Sequence, residues 1–410
     1  MKLSKSCLLL LAATGLICPS LTHAGAPLYY SGQGSVLVPE SSGIGATDRQ
    51  TLQQHTRMRV LAVPKITPPA MSAQFNTPAT IRAVYNLGAT GGSNAIAIVD
   101  AYHYPTSLAD FNGFSQVFNL PQETSATATS ANNQHFEVVY ATGTKPQSGG
   151  SYIGSWNLEE ALDIEWAHAM APNAKIYLVE AASASMSDLD NAVRIAANLP
   201  GVKEVSMSWG GSETSYEAAM FDSLYVKSGV VFFASSGDSS DEMEYPAASP
   251  NVVACGGTTI NRTSTGTYVS QSAWNDAGCG PSVYEARPSF QSSVSSVVGT
   301  KRGVSDISFD ANPNSGVYVY DSTTFEGGSG WWILGGTSVA SPCLAGLVNV
   351  AAGTNGFATG SAAENARIYG NLGNASAFTD VTSGTDGKYT GKAGYDFPTG
   401  VGAPHGLVGK

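Results

Sequence analysis

Gly335-Gly336-Thr337-Ser338-Val339-Ala340-Ser341-Pro342 runs directly into the apolar segment Cys343-Leu344-Ala345-Gly346-Leu347-Val348-Asn349-Val350. The pattern is that of a loop feeding a buried helix. Two glycines permit a tight turn and a close backbone approach, and Pro342 is expected in the first helical turn, where its missing N–H costs nothing. Ser338 then stands at a helix N-terminus, where free N–H groups and the positive end of the dipole favour a developing anion. A nucleophilic serine and its oxyanion need that environment. Ser and Thr are also preferred helix caps, so simple capping by Thr337 or Ser338 explains these eight residues equally well. The rest of the chain has to decide.

Upstream, short apolar runs recur at Ala95–Asp100, Phe136–Tyr140, Lys175–Val179, Val205–Ser208 and Val230–Ala234. Helical patterns lie between several of them, notably Leu158–Ala171 and Met186–Asn198. This alternation predicts an α/β fold: a mostly parallel, doubly wound sheet covered by helices on both faces. Ligands in such folds bind beyond the carboxyl ends of the strands.

Composition narrows the class of partner. The chain has 410 residues, of which 42% are hydrophobic, enough to bury a full core. Lys and Arg number 20 against 31 Asp and Glu, a net charge of -11, which argues against nucleic acid or an anionic membrane as partner. At the N-terminus, Lys2 and Lys5 precede an apolar run from Cys7 to Cys18, and Leu21-Thr22-His23-Ala24 ends in a small-residue cleavage pattern. Residues 1–24 read as a secretory signal peptide, since the apolar run is too short to span a bilayer. The expected location is therefore extracellular or periplasmic, with no membrane contact after signal removal. Residues 25–74 are rich in Ser, Pro and Thr, with basic positions in Arg57-Met58-Arg59, and read as an extension or linker. Three cysteines remain beyond the signal, and in an oxidising compartment Cys255 and Cys279 are expected to pair, leaving Cys343 as a core thiol.

The helix at Leu158–Ala171 carries Glu159-Glu160-Ala161-Leu162-Asp163. Glu159 and Asp163 are four apart and share one face. On a solvated surface such a pair does nothing, but Leu158, Leu162, Ile164, Trp166 and Ala167 leave little room for a polar face. Crowded carboxylates share a proton and make an acid/base pair. His55, His103, His135, His168 and His405 offer no obvious base: none lies in a His-Gly-Thr setting, and His168 is five residues past Asp163, off the shared face. Ala234-Ser235-Ser236-Gly237-Asp238-Ser239 follows an apolar strand and puts Asp238 at its carboxyl end, where an ordinary Gly-Asp turn is the plain alternative.

Together these three stretches resemble the sedolisins, serine-carboxyl peptidases that share the subtilisin fold. The resemblance spans roughly residues 75–404, with lesser matches at Thr77-Pro78-Ala79, Ile98-Val99-Asp100-Ala101-Tyr102, Ser206-Met207-Ser208-Trp209-Gly210 and Asp306-Ile307-Ser308. It implies a three-layer, subtilisin-like domain over residues 75–410. It also implies Ser338 as nucleophile, Glu159 as general base, Asp163 as the group orienting Glu159, and Asp238 as side-chain donor to the oxyanion. A carboxylate base stays competent in acid, where a His base is protonated. Asp238 donates only while protonated, so an acid optimum is expected.

Near the C-terminus, Asp380-Val381, Gly391-Lys392-Ala393-Gly394-Tyr395-Asp396, Gly400 and Gly402 offer two carboxylates and exposed carbonyls, an all-oxygen set of the kind calcium prefers, though a turn-rich tail reads the same way. The family has a calcium site with this pattern. The resemblance therefore assigns one structural Ca2+ to Asp380, Asp396 and the carbonyls of Val381, Lys392 and Gly394, with Lys392 where the family usually has Gly. About fifty residues, Gly25 to Gln74, stand where sedolisins typically carry a long folded prosegment. The expected protein is a monomeric endopeptidase acting on proteins or peptides. The alternative is a catalytically silent secreted peptide-binding domain on the same fold. Trp209, Trp331 and Trp332 read as either substrate contacts or core.

Overall fold

A computed structural model describes residues 29–31, 34–45, 48–62, 72–240 and 242–410. The expected signal peptide, residues 1–24, lies outside the described residues. None of the described helices is long and apolar enough to cross a membrane.

The architecture is the expected α/β one. Strands β1 (Ala95–Ala101), β2 (Phe136–Tyr140), β3 (Lys175–Ala181), β4 (Val202–Met207), β5 (Val231–Ser235), β6 (Val253–Arg262), β7 (Tyr268–Ala273) and β8 (Ile307–Asp310) form one sheet in the order β7-β6-β5-β4-β1-β3-β2, with β8 also on β6. All pairings are parallel except β6 with β7. Every residue of β1 is buried, as a central parallel strand requires. Its two-residue period sends Ile96 and Ile98 into one core and Ala97, Val99 and Ala101 into the other. Helices α1 (Ser107–Phe118), α2 (Ser151–Met170) and α4 (Thr337–Asn355) fill the first core through Phe111, Phe114, Leu162, Trp166, Leu344 and Leu347. Helix α3 (Met186–Ala196) covers the second face through Leu189 and Val193.

From β1 in the middle of the sheet the chain goes to the edge strand β2, returns through β3 between the two, then crosses to β4 on the other side of β1. That reversal is the topological switch point, where the loops at the strand ends part and leave a crevice. Asp100, Glu180, Ser208 and Asp238 stand at or just beyond the carboxyl ends of β1, β3, β4 and β5. The buried helices α2 and α4 bring Glu159, Asp163 and Ser338 to the same end.

The stretch read as an extension or linker is built into the fold where it is described. Strands Gly34–Leu37 and Arg59–Ala62 pair with each other, and Arg59–Ala62 also pairs antiparallel with Gly328–Gly335. His55–Thr56 pairs antiparallel with Trp209–Ser212.

Two local expectations need correction. Helix α4 begins at Thr337, so Pro342 lies in its second turn rather than its first. Proline cannot donate to the carbonyl of Ser338 four residues back. The Ser208 hydroxyl lies 3.3 Å from Ser338 O and shares its one proton between that carbonyl and Asp163 Oδ1. The expected Cys255–Cys279 disulfide is absent, and Cys255, Cys279 and Cys343 are all buried. The Cys279 thiol donates to Asp386 at 2.8 Å, whereas the Cys255 thiol reaches back to Val253 O on its own strand. The two sulfur atoms face different partners.

Candidate active site

Ser338 is the second residue of α4 and is fully buried. At this position a backbone N–H has no partner within the helix. It donates instead to the carbonyl of Arg57 at 2.9 Å. The approach is possible because residue 336 is glycine, with φ 101°: a Cβ there would stand 2.1 Å from Arg57 O and 2.6 Å from Asp238 Oδ2. The Ser338 hydroxyl bonds Ser208 O only loosely, at 3.4 Å.

Glu159 and Asp163 face this serine from α2, both fully buried. Asp163 Oδ1 accepts from the Ser208 hydroxyl at 2.9 Å, which fixes its orientation. Burial holds the Glu159 carboxyl well above the usual range, and the neighbouring Asp163 and Asp100 push it further, while the Ser338 hydroxyl favours its ionised form. Neither Glu159 oxygen nonetheless has a donor at good hydrogen-bond geometry. The hydroxyl and the carboxylate are neighbours without a closed bond, an arrangement common at catalytic sites before the reacting atoms are aligned. Burial also raises Asp163, against the bond from Ser208. With no cation between two buried carboxyls, each disfavours ionisation of the other.

Asp238 lies beyond β5 and is also buried. Its Oδ1 accepts from the Thr337 N–H and the Thr337 hydroxyl, both at 2.8 Å, and its Oδ2 has no hydrogen-bond partner. Burial raises its pKa, with Arg59 pulling the other way from 3.4 Å. A protonated Oδ2 would therefore carry the free proton toward the side where the Arg57 carbonyl sits.

All four residues singled out from sequence thus gather at one end of the sheet. Others went unrecognised. Asp100 at the end of β1 is fully buried with both oxygens unpartnered, and repulsion from Asp163, Glu160 and Glu180 adds to burial in raising it. Its position at a parallel strand's carboxyl end was the available signal. Ser208, which lies between Asp163 and the carbonyl of Ser338, has no sequence signal beyond its place in Ser206-Met207-Ser208-Trp209-Gly210. Arg57, Arg59 and Glu244 carried no readable signal. Three described histidines have other partners: His55 pairs with Asp48 at 2.7 Å, His103 pairs with Glu180 at 2.9 Å, and His168, driven down to about 3 by burial, bonds Pro121 O. Trp209 is core, donating to Val99 O at 2.8 Å, and Trp331 and Trp332 pack against Phe118 and Phe325.

The C-terminal residues assigned to calcium form one cluster. Asp396 is buried and accepts from Lys392 N at 2.7 Å, while Asp380 accepts from Gly394 N at 3.0 Å. Burial lifts Asp396 to about 6, and the nearby Asp380 adds to the effect by repulsion. A Cβ on Gly391 would lie 3.0 Å from Val381 O, so that carbonyl faces the same loop. Two carboxylates that repel across a carbonyl-rich loop fit a divalent cation. Among the described residues no group of three or more His, Cys, Asp or Glu side chains is arranged to hold a metal.

The profile of the subtilase family matches residues 141–366. Sedolisin from Pseudomonas sp. (strain 101) is 30% identical over 352 residues, 75% of this chain, which spans 58% of that protein's length. Kumamolisin from Bacillus sp. (strain MN-32) is 29% identical over 92% of this chain and 72% of its own. The solved structure of Pseudomonas sedolisin, a serine-carboxyl proteinase complexed with pseudo-iodotyrostatin, superposes with a TM-score of 0.66 at 26% identity, over 82% of this chain and 96% of that one. This chain belongs to the subtilase family, in its sedolisin branch.

Proposed function

We propose that the chain is a secreted, acid-active serine-carboxyl endopeptidase, with residues 1–24 as signal peptide, 25–74 as N-terminal extension and 75–410 as peptidase domain. Ser338 Oγ attacks the scissile carbonyl and gives its proton to Glu159. Asp163, held by Ser208, orients Glu159 and shares a proton with it. The tetrahedral oxyanion lies between the Ser338 N–H and protonated Asp238. Glu159 then protonates the leaving amine, and water hydrolyses the acyl-enzyme by the reverse path. Carboxylic acids can play both parts because burial moves their pKa values upward from the ordinary range.

The observation that supports this reading most is a single carbonyl oxygen, that of Arg57. It accepts from the Ser338 N–H beside Asp238 Oδ2, which takes no hydrogen bond, while the Glu159 carboxyl adjoins the serine hydroxyl. Ser338→Ala tests it: digestion of a denatured protein in acid should be lost with melting unchanged, and substantial remaining activity would remove Ser338 from the mechanism. A structural Ca2+ held by Asp380, Asp396 and the carbonyls of Val381, Lys392 and Gly394 would neutralise the repelling carboxylates and pin the C-terminal loops.

A further inference from the structure

We propose that residues 55–60 occupy the catalytic cleft as an internal substrate, that Arg57–Met58 is the bond this chain cleaves in itself, and that Glu244 selects a basic side chain before the scissile bond. The inference rests on the peptidase reading of Ser338.

The backbone on both sides of Arg57–Met58 is paired as an added strand. Before the bond, His55 and Thr56 lie antiparallel to Gly210 and Trp209, and Arg57 N donates to Ser208 O at 3.1 Å. After it, Arg59 and Val60 lie antiparallel to Gly335 and Leu334. Of the two carbonyls between these pairings, that of Met58 accepts from the Ser42 hydroxyl and Arg59 Nη1, and that of Arg57 receives the Ser338 N–H. A peptide held on both flanks, with its carbonyl at the helix N-terminus beside a serine, is positioned for attack.

The Arg57 side chain shows what the adjoining pocket accepts. It is buried, with Nε donating to Glu244 Oε2, Nη2 to Gly210 O at 2.7 Å and Nη1 to Thr56 O at 2.9 Å. Glu244 is itself buried, and its second oxygen has no partner. Glycines make room for it: a Cβ on Gly210 or Gly237 would come within 2.9 Å of the Glu244 carboxyl group. A buried carboxylate at the bottom of a slot, with donors satisfied by backbone carbonyls around it, fits a guanidinium and rejects an apolar side chain.

The step needs no further reagent. Ser338 Oγ bonds to the Arg57 carbonyl carbon as Glu159 takes its proton. The Arg57–Met58 C–N bond breaks, and that proton goes to the Met58 nitrogen. Water then releases Arg57 as a free carboxyl terminus and regenerates Ser338.

The test incubates the purified full chain in acid and reads intact mass and N-terminal sequence with time. The expected result is a new terminus at Met58 in the wild type and none in Ser338→Ala. Arg57→Leu should slow that cut by roughly 30-fold or more, the cost of leaving Glu244 buried and unpaired. On processed enzyme, Glu244→Gln should lower kcat/KM for peptides with arginine before the scissile bond by a similar factor while changing little for leucine, and rescue by Glu244→Asp should be partial. Active enzyme with its terminus elsewhere, or an arginine-to-leucine ratio unmoved by Glu244→Gln, overturns this inference and leaves the peptidase reading standing. A folded chain inert toward itself and toward denatured protein overturns both.

Discussion

The two sides of the cleft keep buried carboxylates in different ways. On the α2 side, Asp100, Glu159 and Asp163 face one another with no cation between them, and burial raises all three above the ordinary carboxylate range. On the opposite side, Glu244 and Asp238 sit against the guanidinium groups of Arg57 and Arg59, so burial is opposed by ion pairing. The first set belongs wholly to the folded domain. The second owes its balance to two arginines from a strand lying across the serine. The contrast separates chemistry from recognition: proton-sharing carboxyls suit acid/base work, and a carboxylate matched to a guanidinium suits binding.

The strongest way to break the contrast is to remove one proton carrier. Glu159→Gln keeps the shape but cannot accept the serine proton, and kcat on a peptide substrate should fall by roughly 10³-fold or more with unchanged folding. A loss below about tenfold would move the base elsewhere. Asp238→Asn retains a donor toward the oxyanion, so its loss should be smaller than that of Asp238→Ala, which should cost about 10²-fold in kcat. Equal losses would remove Asp238 from the oxyanion site.

Buried carboxyls elsewhere in the fold set the response of stability to pH. Burial lifts Asp190, Asp310, Asp321 and Glu364 to about 7, above their values in an unfolded chain. Between about pH 4 and pH 7 the folded state binds protons that the unfolded state has released. Stability is therefore full in acid and falls as pH rises through the folded values. The melting temperature of Ser338→Ala, which cannot digest itself, should drop by on the order of 10 °C between about pH 5 and pH 8, and a rise would contradict the assignment. The smallest expected effect is that of calcium: chelation should lower melting by about 3–5 °C, and calorimetric titration of the chelated protein should show one site lost in Asp396→Asn. Unchanged melting and no heat of binding would remove the metal.

Much of this was legible in the chain. The apolar runs at Ala95–Asp100 and Lys175–Val179 became central strands because their burial on both faces leaves a continuous apolar signature. Ser338, Glu159, Asp163 and Asp238 stood out because turn glycines, helical spacing and strand ends are local patterns. The path of residues 55–60 was not legible. His55–Thr56 is a two-residue strand whose geometry comes from pairing with Trp209–Ser212, and nothing in its own sequence requires it. Glu244 faces Arg57 across 187 positions, a contact that only the tertiary fold creates. Pro342 was placed one turn early because the helix starts at Thr337, and the expected disulfide failed because spacing along the chain says nothing about where two sulfur atoms point.

The central claim is that a carboxylate, and no histidine, takes the proton from Ser338. Measuring kcat/KM against pH from about pH 2 to pH 9, on processed wild-type enzyme with Ser338→Ala as control, tests it most directly. The account predicts a maximum on the acid side and a decline toward neutrality as Asp238 loses the proton it donates. A maximum at or above neutrality, with activity disappearing below about pH 6 as an imidazole protonates, would contradict it.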